Sequence, residues 1–284
     1  MHRAGSSVSR VYRLHNLFRH TLDALASLAV PAPCRICDET LTAASRVPVC
    51  QPCLERLPRL QGPICSRCGR FFPSGVPAEV TEPLCQLCRR DVYAFDCARS
   101  FGIYERETVK AITLLKYEAI SPLGNWFADR LFELATRHPD LFAADVVVPV
   151  PLHATRQKER GFNQAELIAR PLARRLGIPL RTWLLVRTRP RPERLRLSRK
   201  ERWRIVRGAY STREGSQVDN LRVLLVDDVF TTGATLDACS RALKQAGAAY
   251  VAGLTVARVV PDWVVVRGPA GSVQGLATDV RGSI

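Results

Sequence analysis

The spacing of apolar and polar residues predicts alternating strands and helices from about residue 98 to residue 258. Runs of apolar, often β-branched residues indicate buried strands, and apolar residues three or four positions apart indicate helices. The predicted strands are Ala98–Tyr104, Asp145–Val150, Leu221–Val226 and Tyr250–Val256. The predicted helices are Glu105–Tyr117, Leu123–Arg137, Asn163–Leu176, which Pro171 should kink, and Thr235–Ala246, which Gly247 closes. This alternation predicts an α/β fold, a mostly parallel sheet with helices on both faces, whose ligands bind at the carboxyl ends of the strands.

A different pattern, four CxxC pairs, precedes this region. The pairs are Cys34/Cys37, Cys50/Cys53, Cys65/Cys68 and Cys85/Cys88. A CxxC turn directs two sulfur atoms into one hollow, and two turns complete a tetrahedral thiolate site. Four pairs therefore predict two structural zinc ions. Neighbouring pairs can share a site (34/37/50/53 and 65/68/85/88), or an interleaved pairing can join 34/37 with 65/68, and the spacing permits both.

Zinc is favoured over the other uses of paired cysteines. A disulfide framework needs an oxidising compartment, for which the sequence gives no argument, and a redox CxxC normally occurs once, at a helix start. Cys97 and Cys239 lie outside the pairs and are interpreted as small apolar residues. A module this small buries little core, so metal binding would supply most of its folding free energy. It could bind nucleic acid, hold a partner or brace the next domain.

Composition adds broad limits. The chain has 284 residues, 46% hydrophobic and 24% charged, as in folded proteins, and its net charge of +16 favours anionic partners. No run of 18 apolar residues occurs, so no membrane span is expected. The apolar run Leu25–Val30 is short for a signal peptide, and we expect a cytoplasmic protein. The patterns divide the chain into an N-terminal helix (1–30), a cysteine-rich module (31–92), an α/β domain (98–258) and a peripheral tail (259–284).

The segment after the predicted strand Leu221–Val226 has the residue types of a site for a phosphorylated ribose. It contains Asp227, Asp228, Thr231, Thr232, Gly233, Ala234 and Thr235. Backbone N–H groups at a helix start attract a phosphate, and glycine lets the backbone come close. Two carboxylates would repel that phosphate, so we expect them to accept hydrogen bonds from ribose hydroxyls one sugar away, with help from Mg²⁺. Phosphoribosyl pyrophosphate combines these features.

Two other interpretations of this segment are a metal-binding aspartate pair, as in P-loop enzymes, and an ordinary strand-to-helix turn. The first lacks its partner, because no GxxxxGK[ST] sequence occurs in the chain. The second leaves the whole run of matched residue types to chance.

These residues also carry a family resemblance. VLLVDDVFTTGAT (Val223–Thr235) is similar to the phosphoribosyl pyrophosphate signature of type I phosphoribosyltransferases. From about residue 25 to 258 the chain resembles the ComF/GntX family, in which a double zinc ribbon precedes a type I phosphoribosyltransferase fold. The matching stretches are the four CxxC units and LASLAVPAPCRIC, AITLLKY, VPVPLH and ERGFNQAELIARPLA.

The resemblance implies roles for individual residues. Asp227 and Asp228 would bind the ribose hydroxyls, and Thr231–Thr235 would hold the 5-phosphate. Pyrophosphate would bind at the turn Pro151–Gly161. The arginines of that turn, Arg156 and Arg160, suit the task because guanidinium groups match phosphate oxygens.

Three positions leave the chemistry open. Lys116 is either a phosphate contact or a solvated helix lysine. In Arg189–Arg207, which corresponds to the mobile loop over the reaction centre, Glu193 and Ile205 stand where relatives carry a glutamine and an asparagine. These changes concern the catalytic loop rather than the ribose site.

The leading hypothesis is a Mg-dependent phosphoribosyltransferase with an unknown acceptor, linked to DNA uptake or nucleotide metabolism. The alternative is a non-catalytic accessory protein for single-stranded DNA, whose ribose-phosphate pocket senses a nucleotide or holds a DNA end. Arg187–Arg213 has eleven Lys or Arg residues interleaved with Trp203 and Tyr210, a combination that can bind phosphates and stack on bases. Single-stranded DNA is therefore a further candidate partner, and the family resemblance implies DNA-uptake or helicase proteins as others.

Overall fold

The computed structural model describes residues 33–41, 47–60, 62–72, 74–190, 198–260, 266–267 and 273–274. The chain divides into two compact units, one ending at Glu55 and the other beginning at Arg56. The predicted N-terminal helix (1–30) lies outside the described residues. The first unit contains one cysteine tetrad and the short helix α1, Gln51–Glu55.

The second unit contains the other cysteine tetrad and the α/β fold. Its helices are α2 (Gln86–Arg89), α3 (Arg106–Glu118), α4 (Ser121–Thr136), α5 (Pro139–Phe142), α6 (Ala154–Arg160), α7 (Gln164–Leu176), α8 (Arg199–Val206) and α9 (Ala234–Gln245). Its strands are β1 (Cys97–Ile103), β2 (Val146–Pro149), β3 (Leu185–Arg187), β4 (Tyr210–Thr212), β5 (Arg222–Phe230), β6 (Tyr250–Arg258), β7 (Val266–Arg267) and β8 (Val273–Gln274).

Four parallel strands form the main sheet, in the order β1-β6-β5-β2. Their side chains are buried along almost the whole length, because a parallel sheet has both faces covered. The predicted α/β fold with a mostly parallel sheet is confirmed. Two antiparallel pairs, β3–β4 and β7–β8, lie outside this sheet.

The helices and strands differ from the predicted ones mainly near the carboxyl ends of the strands. Strand β5 does not end before Asp227 but runs on to Phe230, since β6 continues beside it and supplies backbone partners up to Arg258. The turn predicted at Pro151–Gly161 contains a helix, α6. The segment predicted as a loop at Arg189–Arg207 contains α8, of which the capping box of Ser198 and Glu201 is a local cause.

Helix α7 runs through Pro171, and it packs closely against α4 at the carbonyl that this proline leaves without its helical donor. Proline has no N–H to donate to the carbonyl of Leu167, four residues earlier. That carbonyl faces Gly124 of α4, where an added Cβ would lie 2.7 Å from the oxygen. Gly124 therefore lets the two helices approach closely at the Leu167 carbonyl.

Candidate functional site

Each unit contains one tetrad of cysteines whose sulfur atoms can share a metal ion. The tetrads are Cys34, Cys37, Cys50 and Cys53, and Cys65, Cys68, Cys85 and Cys88, with the four sulfur atoms of each within 4.8 Å of one another. The sulfur–sulfur distances Cys37–Cys50 and Cys68–Cys85 are 3.7 and 3.6 Å. A tetrahedral zinc site with Zn–S bonds of ~2.3 Å requires ~3.8 Å. Neighbouring pairs thus share a site, which excludes the interleaved alternative, and each tetrad fits one zinc ion.

The two tetrads are built in the same way. The backbone N–H of Cys50 donates to the Cys34 sulfur at 3.3 Å, and that of Cys85 donates to the Cys65 sulfur at 3.4 Å. The neighbouring Cys68, Cys85 and Cys88 side chains donate hydrogen bonds that lower the pKa of Cys65. Donors of this kind favour a thiolate, the form that binds a metal. All ten cysteines are free thiols, so the described structure contains no disulfide framework.

A cavity of about 440 Å³ lies at the carboxyl ends of β2 and β5. It brings together nearly all the predicted ligand-binding residues of the α/β domain. Those that line it are Lys116, Arg156, Arg160, Asp227, Asp228, Thr231, Thr232, Ala234 and Thr235. Gly233 lies behind the wall and is buried.

Asp227 and Asp228 are buried side by side and carry opposite pKa perturbations. Burial, reinforced by the charge of Asp228, raises the pKa of Asp227 well above its usual value. Burial alone would also raise the pKa of Asp228, but the Lys116 ammonium and hydrogen bonds from Asp227, Lys116 and Gln164 lower it. Lys116 forms an ion pair with Asp228, and this charge raises the lysine pKa in spite of its burial. Lys116 is thus not a solvated surface lysine, and whether it contacts phosphate stays a prediction.

The turn between β5 and α9 has the backbone required for a phosphate site. Gly233 has φ +81°, and an added Cβ would lie 2.7 Å from the rings of both Phe230 and Tyr93. Only glycine fits, for conformational and steric reasons. Helix α9 begins at Ala234, so its first N–H groups, which have no partner within the helix, lie next to the cavity.

The arginines opposite this turn come from α6 and are four residues apart on one face. Arg160 stacks over the ring of Tyr117, 5.2 Å from its centroid, and donates to the Gln164 side chain at 2.6 Å. Asn163, the preceding residue of the GFNQ motif, caps α7 through its bond to the Ala165 N–H at 3.0 Å. The GFNQ motif therefore supplies both the cap of α7, Asn163, and a side chain that lines the cavity, Gln164. The sequence analysis included Gln164 in a family motif but predicted no role for it.

Sequence reasoning also missed cavity residues that come from distant parts of the chain. They are Tyr104, Tyr117, Arg187 and Arg202. Ile205 lies in the cavity wall, whereas Glu193 lies outside the described residues. Arg187, at the end of β3, had no distinguishing signal beyond its membership of the basic segment.

The two aromatic residues of the basic segment both pack against other side chains. Tyr210 is buried, and Arg187 lies over its ring at 5.4 Å. Trp203 packs against Tyr93, with ring centroids 5.8 Å apart. Tyr210 is therefore a buried residue of the cavity wall, whereas Trp203 is partly buried, and base stacking on these two rings stays a prediction.

Comparison with known proteins agrees with this geometry. A family model described as "Phosphoribosyl transferase domain" matches residues 163–279. Two solved structures match part of the chain. Glutamine phosphoribosylpyrophosphate amidotransferase from B. subtilis, complexed with ADP and GMP, is 25% identical over 47% of this chain and 26% of that chain, with a TM-score of 0.32. Purine phosphoribosyltransferase from Pyrococcus horikoshii Ot3 is 22% identical over 48% of this chain and 80% of that chain, with a TM-score of 0.31. The family match begins at Asn163 and includes strands β5 and β6 of the main sheet, so the α/β fold contains a phosphoribosyl transferase domain.

Three relatives place the chain more narrowly. Competence protein ComFC of Bacillus subtilis (strain 168) is 31% identical over 74% of this chain and 84% of its own. DNA utilization protein YhgH of Salmonella typhi is 31% identical over 79% of this chain and 96% of its own. Competence protein F of Haemophilus influenzae is 29% identical over 70% of this chain and 85% of its own. The chain belongs to this ComF family, as the resemblance implied. No helix among the described residues has both the length and the apolar character that a membrane span requires.

Proposed function

We propose that the cavity binds phosphoribosyl pyrophosphate together with Mg²⁺. The observation that carries the proposal is that two buried carboxylates, Asp227 and Asp228, and the start of α9 lie along one cavity wall. Carboxylates can accept hydrogen bonds from the ribose hydroxyls, and the helix start can receive the 5-phosphate. Arg156 and Arg160 offer positive charge on the side of the pyrophosphate.

The residues present suit a magnesium ion carried by the substrate. Mg²⁺ is usually held by one or two carboxylates together with substrate phosphates and water. Asp227 and Asp228 are the carboxylates that would contribute, and the ion would add charge neutralisation of the leaving pyrophosphate. In the free protein, Lys116 supplies the positive charge beside Asp228.

The corresponding reaction is transfer of the phosphoribosyl group. The bond from the anomeric carbon to the pyrophosphate oxygen breaks as a nucleophile bonds to that carbon, through an oxocarbenium-like transition state. The arginines of α6 would stabilise the departing negative charge, and α8 with its Ile205 would limit the access of water. The residues that line the cavity do not identify the acceptor, the nucleophile that attacks the anomeric carbon.

Calorimetric titration of phosphoribosyl pyrophosphate with Mg²⁺ tests the proposal. Wild type should bind, and an Asp227→Asn, Asp228→Asn double variant should bind about 100-fold more weakly, since hydrogen bonds to charged groups are worth about 1.5 kcal/mol or more each. The matched control is Asp129→Asn, a helix carboxylate paired with Arg175. Equal binding by wild type and double variant, or none by either, would refute the assignment.

Pyrophosphate release with nitrogenous bases and with single-stranded DNA then tests turnover. Release with any acceptor supports a transferase. Retained binding without release across these acceptors favours the alternative, a sensing role in DNA handling, toward which the names of the competence and DNA utilization relatives point.

A further inference from the structure

The second knuckle, residues 63–72 and 74–88, is fastened to the sheet by two buried arginines. Arg99 of β1 donates to the Ser66 carbonyl at 2.7 Å, and Arg258 of β6 donates to the Cys68 carbonyl at 2.8 Å. Both guanidinium groups are almost fully buried. Each guanidinium group donates to a backbone carbonyl of the CxxC turn, and these two hydrogen bonds hold the knuckle against the sheet.

The chain that leaves this knuckle runs directly over the candidate phosphate turn. The Ala94 N–H donates to the Asp237 carboxylate at 2.8 Å, and Arg241 donates to the Val92 carbonyl at 2.9 Å. Both partners lie on α9, the helix whose start borders the cavity. Between these two contacts lies Tyr93, which is buried.

Tyr93 contacts the turn itself. Its hydroxyl donates to the Thr232 carbonyl at 3.0 Å, and its ring closes the space in which a Cβ on Gly233 would sit. In a planar trans peptide the carbonyl and the following N–H point in opposite directions. Anchoring the Thr232 carbonyl to Tyr93 therefore aims the Gly233 N–H away from Tyr93.

The other end of Tyr93 is held by the knuckle. Arg67, within the CxxC turn of Cys65 and Cys68, donates to the Tyr93 carbonyl and, at 3.1 Å, to the Phe95 carbonyl. A continuous set of contacts thus leads from a metal-binding turn through Arg67 and Tyr93 to the Thr232–Gly233 peptide.

We propose that Tyr93 is a positioning residue, through which the second knuckle holds the phosphate turn in its binding conformation. The role in ligand binding rests on the proposed function, whereas the ordering of the turn does not. This assigns the second knuckle a role in bracing the α/β fold, one of the roles that the sequence left open.

The experiment compares Tyr93→Phe with Tyr250→Phe. Each removes one hydroxyl that donates to a backbone carbonyl, Thr232 in the first case and Leu141, at 3.1 Å, in the second. Amide hydrogen exchange of the peptide covering residues 231–236 is measured on the zinc-loaded free protein, and the affinity for phosphoribosyl pyrophosphate is measured separately. For Tyr93→Phe we expect roughly three- to tenfold faster exchange and a similar loss of affinity, as one hydrogen bond implies. Tyr250→Phe should change neither.

A second pair of variants tests the knuckle rather than the hydroxyl. Arg67→Gln leaves the Tyr93 hydroxyl in place but removes its backbone anchor, and exchange in residues 231–236 should again rise, by roughly twofold or more. Arg70→Gln, an exposed change in the same knuckle, should have no effect.

Unchanged exchange in Tyr93→Phe, or an equal rise in Tyr250→Phe, would overturn the proposal. If wild type fails to bind phosphoribosyl pyrophosphate while Tyr93→Phe still loosens the turn, the proposed function fails and the positioning role stands. Suppose instead that wild type and Tyr93→Phe bind phosphoribosyl pyrophosphate equally well and exchange the amides of residues 231–236 at the same rate. The positioning role then fails, and the proposed function stands.

Discussion

Two adjacent and isosteric substitutions, Asp227→Asn and Asp228→Asn, should change the stability of the free protein in opposite directions. Both side chains are at most 8% exposed. The geometry is preserved, because an asparagine in place of Asp227 would keep the oxygen that accepts from the Asp228 N–H at 2.9 Å. The difference between them is therefore electrostatic.

For Asp227 the folded-state pKa is raised, so the carboxylate is disfavoured by folding. Its contribution to stability is complete below the unfolded pKa of about 3.9 and is lost as the pH rises toward the folded pKa. Each unit of elevation costs about 1.4 kcal/mol at higher pH. Since asparagine does not ionise, Asp227→Asn should stabilise the protein at pH 7.5, and should do so by less at pH 5.5.

For Asp228 the sign is reversed. Its folded-state pKa is lowered, so its contribution is present above the unfolded pKa of about 3.9 and is lost as the pH falls through the folded pKa. Asp228→Asn removes the ion-pair partner of Lys116, whose side chain is only 23% exposed. The cost of breaking a fully buried pair, about 3–5 kcal/mol, is reduced here because Asp227 can take over the charge, and we expect about 1–3 kcal/mol at both pH values.

The assay is urea unfolding at pH 5.5 and 7.5, at constant ionic strength, with zinc present and without ligand. The difference in unfolding free energy between the two variants is taken at each pH, so that an effect of pH on zinc binding that is common to both variants cancels. Destabilisation by Asp227→Asn, or stabilisation by Asp228→Asn, would refute the charge assignment of the pair. A stabilised Asp227→Asn protein that no longer binds ligand would show a carboxylate kept for function at the expense of stability.

Two further predictions concern packing and metal. Gly124→Ala should destabilise the protein by about 1–3 kcal/mol in urea unfolding, because its Cβ would lie 2.7 Å from a carbonyl oxygen of α7. Asn125→Ala, on the exposed face of the same helix, is the control and should be nearly neutral, so equal effects would contradict the close-packing argument. Elemental analysis of purified protein should find about two zinc ions per chain, and about one after Cys65→Ser with Cys88→Ser. Cys97→Ser should retain both ions; well under two in wild type would rule out paired zinc sites.

Local patterns of residues were enough to predict the fold class and most of the candidate site. Continuous apolar runs located the four strands of the main sheet, because a strand of a parallel sheet that is covered on both faces buries almost every side chain. The segment Asp227–Thr235 could be interpreted as a phosphate turn because its chemistry is contained in nine consecutive residues. The capping box at Ser198 and Glu201 was equally local and would have revealed α8.

Only the tertiary structure decided which groups meet across the chain. The spacing of the CxxC units allowed two pairings, and folding selected one. Lys116 on α3 reaches Asp228 on β5, and Tyr93 reaches Thr232, through contacts that depend on how separate elements pack. Sequence order carries little information about such contacts, because they arise when parallel strands bring their carboxyl ends to one edge of a sheet. Residue types therefore predicted the class of ligand, a phosphorylated ribose, whereas packing determined which residues position the site.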